Sequence, residues 1–577
     1  HGRKDRVDSA DAYFPNALDH ISMLFQAGHP VIGICAAGIL VRAVAPVLVD
    51  KRSEPPLICI PDDGSTVIPL LGGHHGANDL ARRIADALKV APAVTTAGDI
   101  RFAVALDAPP KGWTLANPEH AKDAMAALLS GAHARIDADA PWLEAAKLPL
   151  SKDGEIELTI THHVEKGSPG RLVYHPQCLA LGVGCERGCE AGELIELVGR
   201  TLEMHNLAHQ SIALVASLDV KADEAAVHAL GEHLGVPARF FTPDELNAQA
   251  DRLKNPSDIV RREVGCPGVA EGAALACAGQ TGDLIVGKTK SARATCAIGR
   301  APRPLDPMGL GRPRGRLSVV GIGPGGAPWR SAEAVSMLRA ATDWVGYGLY
   351  LDLVADLGAN ACEHRFDLGE EEARARHALE LAAEGRNVAL ICSGDAGIYA
   401  MASLVFELLD TGSGGAPVSD AARRAEITVA PGISALQAAA AKAGAPLGHD
   451  FCAISLSDLL TPWEAIEKRL HAAADGDFVV ALYNPKSRRR RGQLSQALAI
   501  LRGARPGTTP VVIATNLGRR KERIVTTTLG DFDETLVDML TVVIIGSTAT
   551  RRTVKTTPSR IYTPRGYRTG ANKKTGS

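Results

Sequence analysis

Three short loops in the second half of the chain carry residue types that could grip a small ligand. The first is Gly321–Pro328 in LSVVGIGPGGAP, the second is Ser393-Gly394-Asp395 with Gly397 after VALIC, and the third is Pro431-Gly432 with Ser434 after ITVA. Each follows an apolar run that reads as a buried strand and precedes a helical pattern. All three therefore belong at the C-terminal edge of a parallel sheet, where α/β proteins bind ligands. Asp395 could accept from an amino group or a sugar hydroxyl, or simply stabilise an Asp-Gly turn. Ser434 suits an N-cap, and Gly397 is expected to open a helix.

Gly321, Gly323 and Gly326 satisfy the letter of the dinucleotide pattern, but the surroundings argue against it. That loop must become a helix N-terminus so that free N–H groups face a pyrophosphate. Pro324 removes one donor, and Pro328 delays the helix to about Ser331. No strand ending in an acid follows at the spacing a ribose partner needs.

Other residues suit proton or anion chemistry. The run Arg488 to Arg491, with Arg565, could bind carboxylates in bidentate fashion, or be a solvated face. Asp450 with His449, Asp458 and Tyr483 are candidate acid–base groups; a His-Asp pair before a strand is also a common turn feature. In the first half, His74, His75 and Asn78 lie on a glycine loop before a helix, and His74 could activate water. No third ligand stands at zinc spacing from the histidine pair, and Cys185 and Cys189 lack the CxxC spacing, so no metal is expected.

These groups need elements to hold them. At 577 residues the chain is too long for one core. Its 46% apolar and 22% charged content is ordinary globular composition. A net charge of −2 and 4% aromatic residues argue against nucleic-acid binding. No apolar run suits a membrane span and no signal peptide is visible, so a cytoplasmic protein is expected; the eleven dispersed cysteines read as reduced thiols. Strand, glycine loop and helix alternate from Val31, with APAVTTAG as a further short strand. The pattern weakens from about Phe102 to Gly170, where KDGEIELTITHHV alternates like an exposed antiparallel strand. It returns until Pro304, breaks in a Pro/Gly/Arg-rich linker, and resumes at Arg316. The fold class is α/β and multidomain. The expected domains are 1–101, a middle domain or connector 102–170, an α/β domain 171–304, a linker 305–315 and a two-subdomain unit 316–567. The tail from Arg551 holds eight Lys or Arg and no acid, as a flexible or substrate-facing end would.

The motifs VGIGPGG, SGDAGIYAMA, PGISALQAAAAKAGAPLGHDF, ISLSDLLTPWEAIEKRL, FVVALYNPKSRRRR, MLTVVIIGSTATRR and IYTPRGY resemble the tetrapyrrole methylase superfamily. Within it they are most similar to the precorrin-3B C(17)-methyltransferase family of cobalamin biosynthesis. The resemblance implies S-adenosylmethionine in a cleft between two α/β subdomains. The cofactor contacts it implies are Gly394, Asp395, Gly397, Ile398, Ser434, Ala435, Leu482, Tyr483, Asn484, Asn516 and Thr541, with Pro324 in the proline loop that edges the substrate trough. It implies methylation of a tetrapyrrole at C-17, then ring contraction, with Asp450 or Tyr483 moving protons and Arg488, Arg489 and Arg565 holding substrate carboxylates. It also implies a homodimer working beside other corrin-pathway enzymes.

In the first half, GILVRAVAPVLVDK, PPLICIPDDGSTVIPLLGGHHGANDLARRIA, LGVGCERGC, LDVKADE, PSDIVRREVGCPGVAEGAALACAG and KTKSARATCAIGR resemble the cobalt-precorrin-5A hydrolase family. That family opens a ring lactone and releases acetaldehyde. The resemblance implies that the family's first strand and helix precede His1. The two resemblances belong to different branches of the pathway, one cobalt-free and one cobalt-early. The first half is therefore either an active hydrolase or a module that binds and delivers the tetrapyrrole.

Overall fold

The computed structural model describes all residues except Lys4, Ser9, Lys51, Arg52, Ala359, 411–416, Arg488, Arg489, Arg491 and 567–577, and the side chains of His74, Ala97 and Asp99. The chain divides into two compact units, His1–Gly311 and Arg312–Ser577. Both are mixed α/β, as the alternation of apolar runs and helical patterns implies. Among the described residues no helix is long and apolar enough to cross a membrane.

Among the described residues the first unit holds three sheets. Near the N-terminus, Val31–Ile34 pairs parallel with Leu57–Ile60, which pairs antiparallel with Ile68–Leu71. Phe25, Leu40, Leu57 and Cys59 fill the core beneath the helices Ala17–Gln26 and Ala37–Val44. APAVTTAG forms no strand. Pro92 makes one isolated bridge to Val67, and the helix Ala97–Phe102 begins soon after. A proline cannot donate to a ladder, so the run stops there.

The middle sheet orders Trp113–Leu115, Arg171–Pro176, Ile156–Ile160 and Ala134–Ile136. Ile156–Ile160 is a central strand with parallel partners on both sides, not an exposed antiparallel one. Its alternation reports one buried face, which is silent about strand direction. The third sheet orders Ala238–Phe241, Ile212–Leu218, Leu179–Cys185, Ala294–Arg300 and Asp283–Lys290, the first three parallel. The residues after Arg300 do not hang free. Arg239 donates to the carbonyls of Leu310, Met308 and Gly311, which straps them to this unit.

Glu271, buried on the helix Val269–Ala278, anchors this third layer. It accepts from Lys254 N, Asn255 N, Asn255 Nδ2 and Lys288 N, all at 2.8–2.9 Å. Burial alone would raise its pKa, but these donors outweigh burial and hold it below the ordinary value of 4.5. Glu271→Gln presents an amide N–H to converging donors and should cost about 2–4 kcal/mol of stability, read as a lower Tm for this unit. The carboxylate's contribution is present at neutral pH. It is lost as pH falls through the depressed folded value, so the wild-type advantage over the variant should shrink in acid.

The second unit begins with a five-stranded parallel sheet in the order Cys362–Phe366, Asp343–Tyr347, Asn387–Cys392, Arg316–Gly321 and Glu426–Ala430. Continuous Val, Ile and Leu in its central strands reflect burial on both faces. A second sheet orders Phe451–Ser455, Val479–Tyr483, Thr541–Ile545, Pro510–Thr515 and Arg523–Thr528, with only the first pair parallel.

Candidate active site

The three glycine-bearing loops meet where expected, at the C-terminal ends of the adjacent strands Asn387–Cys392, Arg316–Gly321 and Glu426–Ala430. Gly323 and Gly394 exchange backbone hydrogen bonds, N to O at 3.1 and 2.7 Å. The approach leaves no room for side chains. A Cβ on Gly432 would stand 2.1 Å from Gly394 O, and one on Gly321 would stand 2.8 Å from both Gly394 O and Gly432 N. Asp395 ties the arrangement together: Oδ1 accepts from Gly397 N at 2.8 Å and Oδ2 from Gly432 N at 3.0 Å.

Two expected helix starts are present and one is not. Ser331 caps Ala332–Ala340, and Ser434 caps Ala435–Ala443 in a reciprocal box with Gln437. Gly397 does not open a helix; the next one is Met401–Leu409. Asp395 holds the Gly397 N–H in a turn, and Tyr399 takes a left-handed φ of 51° that helical continuation forbids.

The second sheet supplies the facing wall. Asn484 follows Val479–Tyr483 and Asn516 follows Pro510–Thr515, with left-handed φ values of 49° and 55°. Three non-glycine residues in this region, Tyr399, Asn484 and Asn516, thus sit at strand ends or in a strand-end loop. Such clustering marks functional loops. Tyr399 donates from its hydroxyl to Ala453 O at 2.8 Å, and its ring lies 5.2 Å from that of Tyr483. A cavity of about 450 Å³ opens here, lined by Gly397, Ile398, Tyr399, Ser403, Leu436, Phe451 and Ala453. That size and its largely apolar lining suit a small organic ligand.

The remaining expected residues fall into distinct groups. Pro324 offers its carbonyl to Arg519. Leu482 is fully buried in the core of the second sheet, so only its backbone could serve. Thr541 is buried, its hydroxyl bonded to Thr515 and Asp538. Asn484 Nδ2 donates to Ser455 Oγ at 3.1 Å. Ala435 stands at the first turn of the capped helix. Asp450 lies exposed beside His449, Nδ1 to Oδ2 3.1 Å, at the start of Phe451–Ser455. Tyr483 ends the parallel strand beside it, so Asp450 and Tyr483 occupy opposite edges of the sheet. Arg488, Arg489 and the His74 side chain lie outside the described residues. Arg565 is exposed. Arg490, the described member of that run, turns inward to Asn484 O, Ser457 Oγ and Asp458.

Tyr483 is half-buried, and burial pushes its pKa up, so its phenol stays protonated. Its oxygen accepts from Leu436 N at 3.0 Å. Tyr483→Phe strands that N–H and should cost about 1–2 kcal/mol of stability; thermal unfolding of the variant would show it.

Arg519 gave no signal in the sequence. From the turn after Pro510–Thr515 it donates Nε to Pro324 O at 2.8 Å and Nη2 to Ser393 Oγ at 2.7 Å, with its guanidinium over the ring of Tyr350. It clamps two of the three loops from the opposite subdomain.

The parallel sheet with its three-loop edge, facing a mixed sheet across a cleft, defines a methylase architecture, and the family models agree. Tetrapyrrole (Corrin/Porphyrin) Methylases match residues 316–533, Cobalamin synthesis G N-terminal matches 19–99 and Cobalamin synthesis G C-terminus matches 179–299. The chain belongs to the tetrapyrrole methylase family, joined to the two cobalamin synthesis G domains. It is 46% identical over 251 residues to the "Probable cobalt-factor III C(17)-methyltransferase" of Salmonella typhimurium, covering 44% of this chain and 99% of that one. It is 44% identical to the precorrin-3B C(17)-methyltransferase of a Sinorhizobium species, covering 44% and 97%. The solved structure of the methyltransferase CobJ is 43% identical, with 43% of this chain and 100% of that one covered and a TM-score of 0.39. The second unit is thus a methyltransferase of cobalamin biosynthesis.

Proposed function

We propose that the second unit methylates a precorrin-3B or cobalt-factor III type of tetrapyrrole at C-17 and promotes its ring contraction. The observation that carries this is the three-loop edge knotted by Asp395, which carries Tyr399 and is faced by Tyr483 and Asn484. Its residues fit S-adenosylmethionine. The glycines clear backbone space, and Ile398, Leu436 and Tyr399 offer apolar walls for a nucleoside. Gly394, Gly397, Ser434, Ala435, Leu482 and Asn484 line the cofactor place through backbone or short side chains, with Asn516 and Thr541 at its margin. When bound, the sulfonium supplies an already activated methyl group, so the protein's task is alignment and exclusion of water. Pro324, held by Arg519, borders the tetrapyrrole. Arg488, Arg489 and Arg565 are assigned to its carboxylates. Tyr483 keeps its proton and so serves as an acid rather than a base. Asp450 is left out of the proton transfer because it lies at the other edge of the sheet.

The first half we assign to lactone hydrolysis and release of the two-carbon fragment, with residues 1–101 and 171–304 as its working parts and His74 as its base. A mass-spectrometric assay tests both readings. S-adenosylmethionine is offered with precorrin-3B or cobalt-factor III and the product is followed for one added methyl, while cobalt-precorrin-5A is offered separately and followed for acetaldehyde. Methyl transfer to either form supports the first reading, and the form accepted fixes the branch. Bound cofactor with no methyl transfer to any form would sink it. Acetaldehyde release unaffected by His74→Ala would remove His74 from the second reading, and binding without release would favour a delivery module.

A further inference from the structure

The edge of the parallel sheet opposite the cofactor loops carries a second constellation. Asp343 and Cys362 open neighbouring parallel strands and pair in register, and Val345 pairs with His364. Side chains alternate along a strand, so Cys362 and His364 share one face, and Asp343 shares it across the pair. A carboxylate oxygen, the thiol sulfur and an imidazole nitrogen all lie within 4.8 Å of one another. His364 Nε2 is 3.0 Å from Asp343 Oδ1. Asp343 is buried and Cys362 exposed.

We propose that Asp343, Cys362 and His364 bind one borderline divalent transition-metal ion, zinc or cobalt(II). Sulfur, nitrogen and oxygen together form the donor set such ions prefer. Magnesium and calcium, which take oxygen alone, are disfavoured. Two ligand atoms each about 2.0–2.1 Å from a tetrahedral ion stand about 3.3 Å apart, close to the 3.0 Å already present between Asp343 and His364. The sulfur, on an exposed side chain, can close the remaining distance by rotation. A fourth position is left to water.

The surrounding contacts fit a ligand shell. With Nε2 on the ion, His364 turns Nδ1–H toward His377 Nε2, 2.9 Å away on the helix Glu371–Ala383. Thr342 Oγ1 donates to Asp343 Oδ2 at 2.7 Å. Such outer partners fix the orientation of first ligands. Arg386 also donates to Asp343 Oδ1 at 3.0 Å and opposes a cation there. It is partly exposed and has a second partner in Glu384 at 2.9 Å, so it can withdraw. Binding releases the Cys362 thiol proton, and no electron is transferred. The ion would pin the edge strand Cys362–Phe366 to its neighbour, away from the methyl-transfer chemistry.

The test uses the full chain stripped by a chelator and titrated with cobalt(II). One equivalent should give tetrahedral d–d absorption with a thiolate charge-transfer band, and zinc should bleach both. Cys362→Ser should abolish the charge-transfer band while Cys452→Ser keeps it. Alkylation of the unsubstituted protein serves as an independent arm: zinc should slow modification of the Cys362 peptide at least tenfold. No thiolate band, a band that survives Cys362→Ser, or no zinc protection of Cys362 would each overturn the proposal.

Discussion

Asp395→Ala should lower S-adenosylmethionine affinity about a hundredfold and stop measurable methyl transfer, with the protein still folded. The carboxylate accepts from Gly397 N on its own loop and from Gly432 N on the next. Hydrogen bonds to a charged group contribute roughly 1.5–3 kcal/mol each, and a hundredfold in affinity is about 2.7 kcal/mol. Losing both lets two of the three loops part, and Gly394 and Ser434 lose their relation. Asp395→Asn should fall between, near tenfold, because its amide oxygen can still accept once while its N–H₂ opposes the other donor. Calorimetric titration with S-adenosylmethionine measures this directly. Alanine binding within threefold of wild type would show that Asp395 is a local turn residue and that the cofactor reading of the loop is mistaken.

What could be read from the residues was local. Glycine after apolar runs marked all three loops, with proline beside it in two of them, and Ser331 and Ser434 announced their helices, because caps and turns are set by near neighbours. The turn role of Asp395 was legible for the same reason, whereas its bond to Gly432 was not. The direction of Ile156–Ile160 escaped because alternation encodes a buried face and not a partner's orientation. The delayed helix after Gly397 escaped because the left-handed Tyr399 has no composition signal. Asp343, Cys362 and His364 carry no motif, since strand pairing alone brings them together. Arg519 is the extreme case. It stands 195 residues from the proline loop it holds, next to other arginines and a lysine with which it is interchangeable on paper.

Arg519→Ala should reduce kcat about a hundredfold while S-adenosylmethionine affinity stays within about threefold. Pro324 O and Ser393 Oγ both lose their donor, and unsatisfied groups of this kind cost about 1–3 kcal/mol each, so the proline loop and the Ser393 turn no longer hold one spacing. The cofactor loops keep their own knot through Asp395. The loss should therefore fall on alignment of the tetrapyrrole against the methyl group, where small displacements are costly. Arg519→Lys separates geometry from charge. An ammonium can serve one of the two acceptors but not both from the same place, so lysine should recover only part of the loss. Burial already lowers the Arg519 pKa without neutralising it, and the guanidinium gains from Tyr350 beneath it, which a lysine would match poorly. Steady-state kinetics with cofactor titration decides the matter. Equal losses in kcat and cofactor binding, tracking a fall in Tm, would make Arg519 a general structural residue. A kcat loss alone makes it the positioning residue of the trough, acting through Pro324.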